Sequence, residues 1–98
     1  MGFPVILTPQ ALDDLKIIVG YIARNNPDEA RVFGNTLIDR ALSIGPLPER
    51  GRVVPELGDP AVREIVHGSY RIIYEVVREP TAVFVLRFWH ASRGNPEV

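Results

Sequence analysis

Three arginines stand where a sheet-forming sequence ordinarily places apolar residues. Arg71 lies within Tyr70-Arg71-Ile72-Ile73-Tyr74. Arg87 lies within Val83-Phe84-Val85-Leu86-Arg87-Phe88-Trp89-His90, and Arg93 follows shortly after. A guanidinium is seldom buried without a partner. Arginines inside strand-like runs therefore mark a sheet face that meets water, another protein or a phosphate. Their planar fork suits bidentate contact with carboxylate or phosphate better than an ammonium does. The chain is biased this way throughout: ten of its basic residues are arginine, against the single Lys16. It has no cysteine and only two histidines, His67 and His90. A disulfide framework and a thiolate metal site are thus excluded, and no metal or cofactor motif is present.

Ninety-eight residues suit one domain, residues 1–98, with one hydrophobic core. A hydrophobic content of 46 % is too high for a disordered chain. No apolar run approaches the roughly 18 residues of a membrane span, so a cytoplasmic protein without membrane contact is expected. The formal net charge of −1 and a pI near 6.1 argue against a broad non-specific grip on nucleic acid. They leave room for a local basic site.

The elements that must position these groups read as β-α-α-β-β-β. Phe3 to Leu7 is a short apolar run. Thr8-Pro9 then supplies a hydroxyl N-cap and a proline at the first helical position. Leu12, Leu15, Val19 and Ile22 form an apolar stripe through residues 9–24, with Asp13, Asp14 and Lys16 off it. Asn26-Pro27 starts a second helix, where Glu29 can complete a capping box. Ala30, Phe33, Leu37, Ala41 and Ile44 give its stripe, and Gly45-Pro46 ends it. So short a link predicts an antiparallel helical hairpin.

Residues 45–60 carry four prolines and three glycines and predict an ordered loop without regular elements. Three strands are predicted at about 61–67, 69–77 and 82–90, with His67-Gly68 as the first turn. The order implies an α+β fold, with the hairpin packed on one face of a twisted antiparallel sheet.

Strand alternation groups Tyr70, Ile72, Tyr74 and Val76 on one face, against Arg71, Ile73, Glu75 and Val77. In the last strand it groups Phe84, Leu86, Phe88 and His90 against Val85, Arg87 and Trp89. A two-residue turn at His67-Gly68 would set Glu64 directly opposite Arg71. The arginine face then reads in two ways. One is a solvated cross-strand charge ladder of Glu64, Arg71, Glu75 and Arg87, each pair contributing about 0.2–1 kcal/mol. The other is a binding face, which Trp89 favours.

An ordered set of segments carries a family resemblance. It comprises Thr8-Pro9-Gln10-Ala11-Leu12-Asp13-Asp14-Leu15, Tyr21-Ile22-Ala23-Arg24-Asn25-Asn26-Pro27 and Gly51-Arg52-Val53-Val54-Pro55-Glu56-Leu57. It continues with Val62-Arg63-Glu64-Ile65, Gly68-Ser69-Tyr70-Arg71-Ile72-Ile73-Tyr74 and Trp89-His90-Ala91-Ser92-Arg93. Over almost its whole length the chain resembles the RelE/ParE superfamily of toxins from type II toxin–antitoxin systems. The resemblance implies a helical hairpin on a twisted sheet. It also implies a cognate antitoxin that wraps and silences the toxin in a hetero-oligomer.

The superfamily contains ribosome-dependent mRNA endoribonucleases, which are RelE-like, and inhibitors of DNA gyrase, which are ParE-like. In the first kind a ribose 2′-oxygen attacks the adjacent phosphate, which requires a base, an acid and cations. The resemblance would assign Glu56 as base, His90 as acid and Arg71 as phosphate stabiliser, with Arg87 and Arg93 adding charge. The plainer alternatives are a surface carboxylate for Glu56, a core-side histidine for His90 and a C-terminal anchor for Arg93.

Two features favour the gyrase branch, known from plasmid stabilisation. The family's nucleases carry a tyrosine near the C-terminus, and this chain has none after Tyr74. They are also strongly basic, and this chain is not. The expectation is a ParE-like growth inhibitor that contacts antitoxin or target through Arg71, Arg87, Trp89, Arg93, Arg50 and Arg52. A ribosome-dependent nuclease is the alternative. A degenerate relative that retains only antitoxin binding is the weaker one.

Overall fold

A computed structural model describes residues 2–98. A short strand β1 (Val5–Leu7) leads into helix α1 (Pro9–Ala23) and helix α2 (Pro27–Leu42). The strands β2 (Arg52–Val53), β3 (Val62–His67), β4 (Tyr70–Arg78) and β5 (Thr81–His90) follow, and a single 3₁₀ turn (Ala91–Arg93) comes after them. The sheet order is β1-β5-β4-β3-β2. The α+β architecture with an N-terminal helical hairpin is as expected. Two details differ. β1 joins β5 in parallel, so the sheet is mixed. The proline-rich loop also contributes β2, whose Arg52 and Val53 pair with Glu64 and Arg63.

Both helices start as their caps dictate. Thr8 Oγ1 accepts from Ala11 N at 3.2 Å, and Asn26 Oδ1 accepts from Glu29 N at 3.0 Å. The second cap is not a reciprocal box, because Asn26 N donates to Ile22 O and closes the end of α1 instead. Thr8 also donates its hydroxyl to Val85 O at 2.8 Å, tying the start of α1 to β5. Helix α1 is rotated from its predicted stripe. Ala11, Asp14, Leu15 and Ile18 are buried, while Leu12 is exposed. The apolar spacing includes Asp14 because that carboxylate finds a strand arginine beneath it.

The main core lies between the hairpin and the sheet: Leu15, Ile18, Leu37, Ala41 and Ile44 meet Ile65, Ile72, Tyr74, Val83, Val85 and Phe88. A smaller cluster of Val54, Val62, Ile73 and Trp89, with Leu86 against it, fills the opposite face. A β-bulge divides β5 between the two. Ile73 pairs with Arg87, but Tyr74 pairs with Val85, leaving Leu86 as the extra residue. Simple alternation fails across it. Val83 and Val85 face the helices before the bulge and Phe88 faces them after it, so Phe84 and Leu86 do not share a face with Phe88 and His90.

The β3–β4 turn is also one residue later than predicted. His67 pairs with Tyr70 across Gly68-Ser69, with Gly68 at φ +58°. Glu64 is therefore opposite Ile73, and Arg71 opposite Val66.

The loop before β2 is fastened by one phenol. Tyr74 is fully buried; its hydroxyl accepts from Gly51 N at 3.0 Å and donates to Pro48 O at 2.8 Å. Burial raises the Tyr74 pKa, which keeps that donor protonated. A Cβ on Gly51 would collide with the Tyr74 hydroxyl and lie 2.6 Å from Glu64 O. Gly51→Ala should therefore destabilise the fold by about 1–3 kcal/mol in urea unfolding. A variant as stable as the parent would show that this approach is not tight.

Candidate functional site

The face of the sheet away from the helices carries a connected set of four charges. Arg71, the second residue of β4, donates from Nε to Glu64 Oε1 at 2.6 Å. Its outer fork donates from Nη1 to Glu56 Oε2 at 2.9 Å and from Nη2 to Glu56 Oε1 at 2.7 Å. Glu64 accepts on its other oxygen from Arg52 Nε at 2.6 Å. The sequence puts the four together through different elements. β3 supplies Glu64 diagonally across from Arg71, the short β2 supplies Arg52, and the turn after it supplies Glu56. The Glu64 side chain is wholly buried and that of Arg71 nearly so, while Arg52 is open to solvent.

Such a pair out of water is tolerable only when it is well hydrogen-bonded, and here every nitrogen of the Arg71 guanidinium and both Glu64 carboxylate oxygens take part in a bond. The Arg71 guanidinium holds the Glu56 carboxyl down to about 2 from its ordinary 4.5. The two carboxylates, Glu56 foremost, raise the Arg71 pKa in turn.

A second buried pair lies at the free edge of β5. β1 covers β5 only from Val83 to Val85, so the edge beyond it lacks a neighbouring strand. Asp14 of α1 takes that place. It accepts from Arg87 Nε at 2.7 Å, from Arg87 Nη2 at 2.9 Å, and from Phe88 N at 3.1 Å. One carboxylate thus caps a strand edge and balances the charge of a guanidinium, and its hydrogen bonds raise the already high Arg87 pKa further. Arg87 Nη1 donates onward to Glu97 O at 2.7 Å. Trp89 Nε1 donates to Gly94 O at 3.1 Å, and Arg93 stacks over the indole 3.9 Å from its centroid. The segment after the 3₁₀ turn therefore folds back over this face, and Trp89 is only 2 % exposed.

His90 looks the other way. It pairs with Tyr70 across the sheet, and their rings meet edge to face at 5.0 Å. Its Nδ1 accepts from Ser92 N at 3.1 Å, which places the ring proton of the neutral imidazole on Nε2. His90, Tyr70, Phe88 and Arg93 form one wall of an open groove of about 210 Å³, and Ile17, Ile18 and Tyr21 of α1 form the other. Ile17 and Tyr21 are among the most exposed large apolar residues described.

The sequence-predicted residues thus fall into four places. Glu56, Arg71 and Arg52 form one network. Arg87 and Trp89 form a second on the same face, and Arg93, stacked on Trp89, also lines the groove. His90 belongs to the groove on the helix side, so the structure does not bring Glu56, Arg71 and His90 onto one reacting atom. Arg50 is apart from all of these and reaches Ser43 O at 3.4 Å. The solvated ladder of Glu64, Arg71, Glu75 and Arg87 is not formed. Glu64 and Arg71 are paired but buried, and Arg87 bonds to a helix. Asp14 was missed; its signal was the buried spacing Ala11-Asp14-Leu15-Ile18, which requires a cationic partner. Among the described residues, no group of three or more His, Asp or Glu is placed to hold a metal ion, and no helix is long and apolar enough to cross a membrane.

Comparison with known proteins places this geometry in a class. Solved structures that share the hairpin on a mixed sheet include two from toxin–antitoxin systems. The chromosomal ParDE toxin–antitoxin system of P. aeruginosa matches with a TM-score of 0.72 at 18 % identity, over 90 % of this chain and 95 % of that one. The toxin–antitoxin complex RelBE2 of Mycobacterium tuberculosis matches with a TM-score of 0.65 at 22 % identity, over 92 % of each chain. No curated protein matches the chain in sequence. The profile of the ParE toxin of type II toxin–antitoxin systems, parDE, matches residues 5–94. The chain belongs to that toxin family.

Two consequences are measurable. Asp14→Ala leaves Arg87 without its carboxylate and Phe88 N without its acceptor, and should cost about 3–5 kcal/mol in urea unfolding. Asp14→Asn, which keeps the acceptor, should cost less. Equal, small losses in both variants would mean that the pair is not buried in solution.

Acid should also act through Glu56. Its folded pKa lies below its unfolded value, so its contribution is complete above about 4.5 and is lost as pH falls through about 2. Stability measured from pH 5 to pH 2 should fall less steeply in Glu56→Gln than in the parent. Identical slopes would show that Glu56 is not linked to folding.

Proposed function

We propose that this ParE-family chain arrests growth by binding DNA gyrase, without a catalytic centre of its own, and that a cognate antitoxin silences it. The observation that carries this reading is the state of Arg71. Three of its five N–H donors are taken by Glu64 and Glu56. The guanidinium that a nuclease would turn toward a developing phosphorane is neutralised by two carboxylates, and His90 lies across the sheet from it. The match to the ParE family profile supports the same branch.

The competing reading is a ribosome-dependent endoribonuclease with Glu56 as base, Arg71 as phosphate stabiliser and His90 as acid. It would require Glu56 to leave Arg71 and the strand end to reorient. An antitoxin segment with apolar anchors suits the groove beside Ile17 and Tyr21, where Arg93 lines the wall and Arg24 lies over the Tyr21 ring, two cations within reach of acidic residues.

Two assays separate the readings. Purified chain should inhibit gyrase supercoiling in a dose-dependent way, and added antitoxin should relieve that inhibition. Primer extension on cellular mRNA after induction should show no new codon-positioned ends. Cuts that disappear in Arg71→Ala would overturn the gyrase reading. Absence of growth arrest on expression without antitoxin would overturn both active-toxin readings and leave the degenerate relative.

A further inference from the structure

The two carboxylates on Arg71 are held very differently. Glu64 is a strand residue with a wholly buried side chain, and Arg52 fixes its second oxygen. Glu56 rides on an exposed turn closed by Leu57 N and Gly58 N, both donating to Val54 O, with Gly58 at φ +65°. Its side chain is 28 % exposed, and Arg71 is its only side-chain hydrogen-bond partner among the described residues. Rotation of the Glu56 side chain alone would open the outer fork of Arg71 without moving the backbone. Arg71 and Arg52 would then face the single charge of Glu64, leaving one net positive charge and two unpaired N–H groups.

From this geometry we propose that the outer fork of Arg71 is a receptor for a carboxylate of a protein partner, an Asp or Glu side chain, and that Glu56 occupies it until the partner arrives. The fork already holds a carboxylate at 2.7 and 2.9 Å, so an external one restores both the geometry and the charge balance. Val66 is paired with Arg71 across β3 and β4, shares its face, and is 52 % exposed. It supplies an apolar contact beside the fork. A chain of net charge −1 suits a polyphosphate strand poorly at the same place. The inference goes beyond the gyrase reading and does not rest on it, because the exchange can be measured with neither gyrase nor antitoxin present.

The test follows the Arg71 side-chain N–H resonances by NMR while sodium acetate or inorganic phosphate is added at constant ionic strength. Glu56→Ala should bind acetate saturably and at least tenfold more tightly than the parent, in which Glu56 competes. Glu56→Asp, which is shorter but still charged, should fall between them. Cooperative thermal unfolding of each variant confirms that it is folded. No saturable response in folded Glu56→Ala, or equal affinity in the parent, would overturn the proposal. Tighter binding of phosphate than of acetate would overturn the carboxylate assignment in favour of a nucleic-acid backbone.

Discussion

A guanidinium removed from water must be given anions, and two strand arginines impose that demand on the rest of this fold. Arg71 draws Glu64 from β3 and Glu56 from the loop after β2. Arg87 draws Asp14 from α1. The Arg87 pair joins elements 73 residues apart in sequence, whereas the Arg71 set ties the proline-rich loop to the β3–β4 hairpin. Breaking a buried pair on one side costs about 3–5 kcal/mol, whereas replacing both partners with apolar groups can be neutral. The pairs are therefore weak evidence of added stability and strong evidence of fixed geometry. Asp14 sets how α1 lies along the open edge of β5, and Glu56 sets where the proline-rich loop rests on the sheet.

The bulge at Leu86 makes the second arrangement possible. One extra residue in β5 lets Val85 and Phe88 both face the helices while Arg87 and Trp89 face away. β1 ends at the bulge, and beyond it the strand edge would expose a backbone donor. Asp14 satisfies that donor and the guanidinium together. A bulge, a strand end and a helical carboxylate thus answer one requirement, that buried backbone groups be paired.

Much of this was legible from residue order. The caps at Thr8 and Asn26, the helical hairpin and the three long strands follow from local chemistry and periodicity, and each is present. The face assignments in β5 were not legible, because alternation carries no sign of a bulge. The β3–β4 turn moved by one residue, and each cross-strand partner by two, because Gly68 serves as the first residue of the turn, with Ser69 as its second. Burial of Asp14 rotated the helix stripe, leaving Leu12 exposed while Leu15, Val19 and Ile22 still face the core. The network around Arg71 was half legible: Glu64 and Glu56 were both recognised, but as a ladder member and a catalytic base. That they bind the same guanidinium depends on a diagonal contact and a loop position that spacing alone does not encode.

This distinction bears on how an arginine in a familiar motif should be read. A cation stabilises a developing phosphorane only if its donors are free to turn toward new charge. Arg71 already spends Nε on a buried carboxylate and its fork on an exposed one. Its electrostatic field outside the protein is correspondingly small, as two arginines and two carboxylates lie within hydrogen-bonding reach of one another. The same arrangement serves recognition well. A fork matched to one carboxylate discriminates by geometry rather than by long-range attraction, and an internal carboxylate sets a threshold that a partner must exceed. For a ParE-family chain of near-neutral charge, selective protein contact is the use to which this site is physically suited.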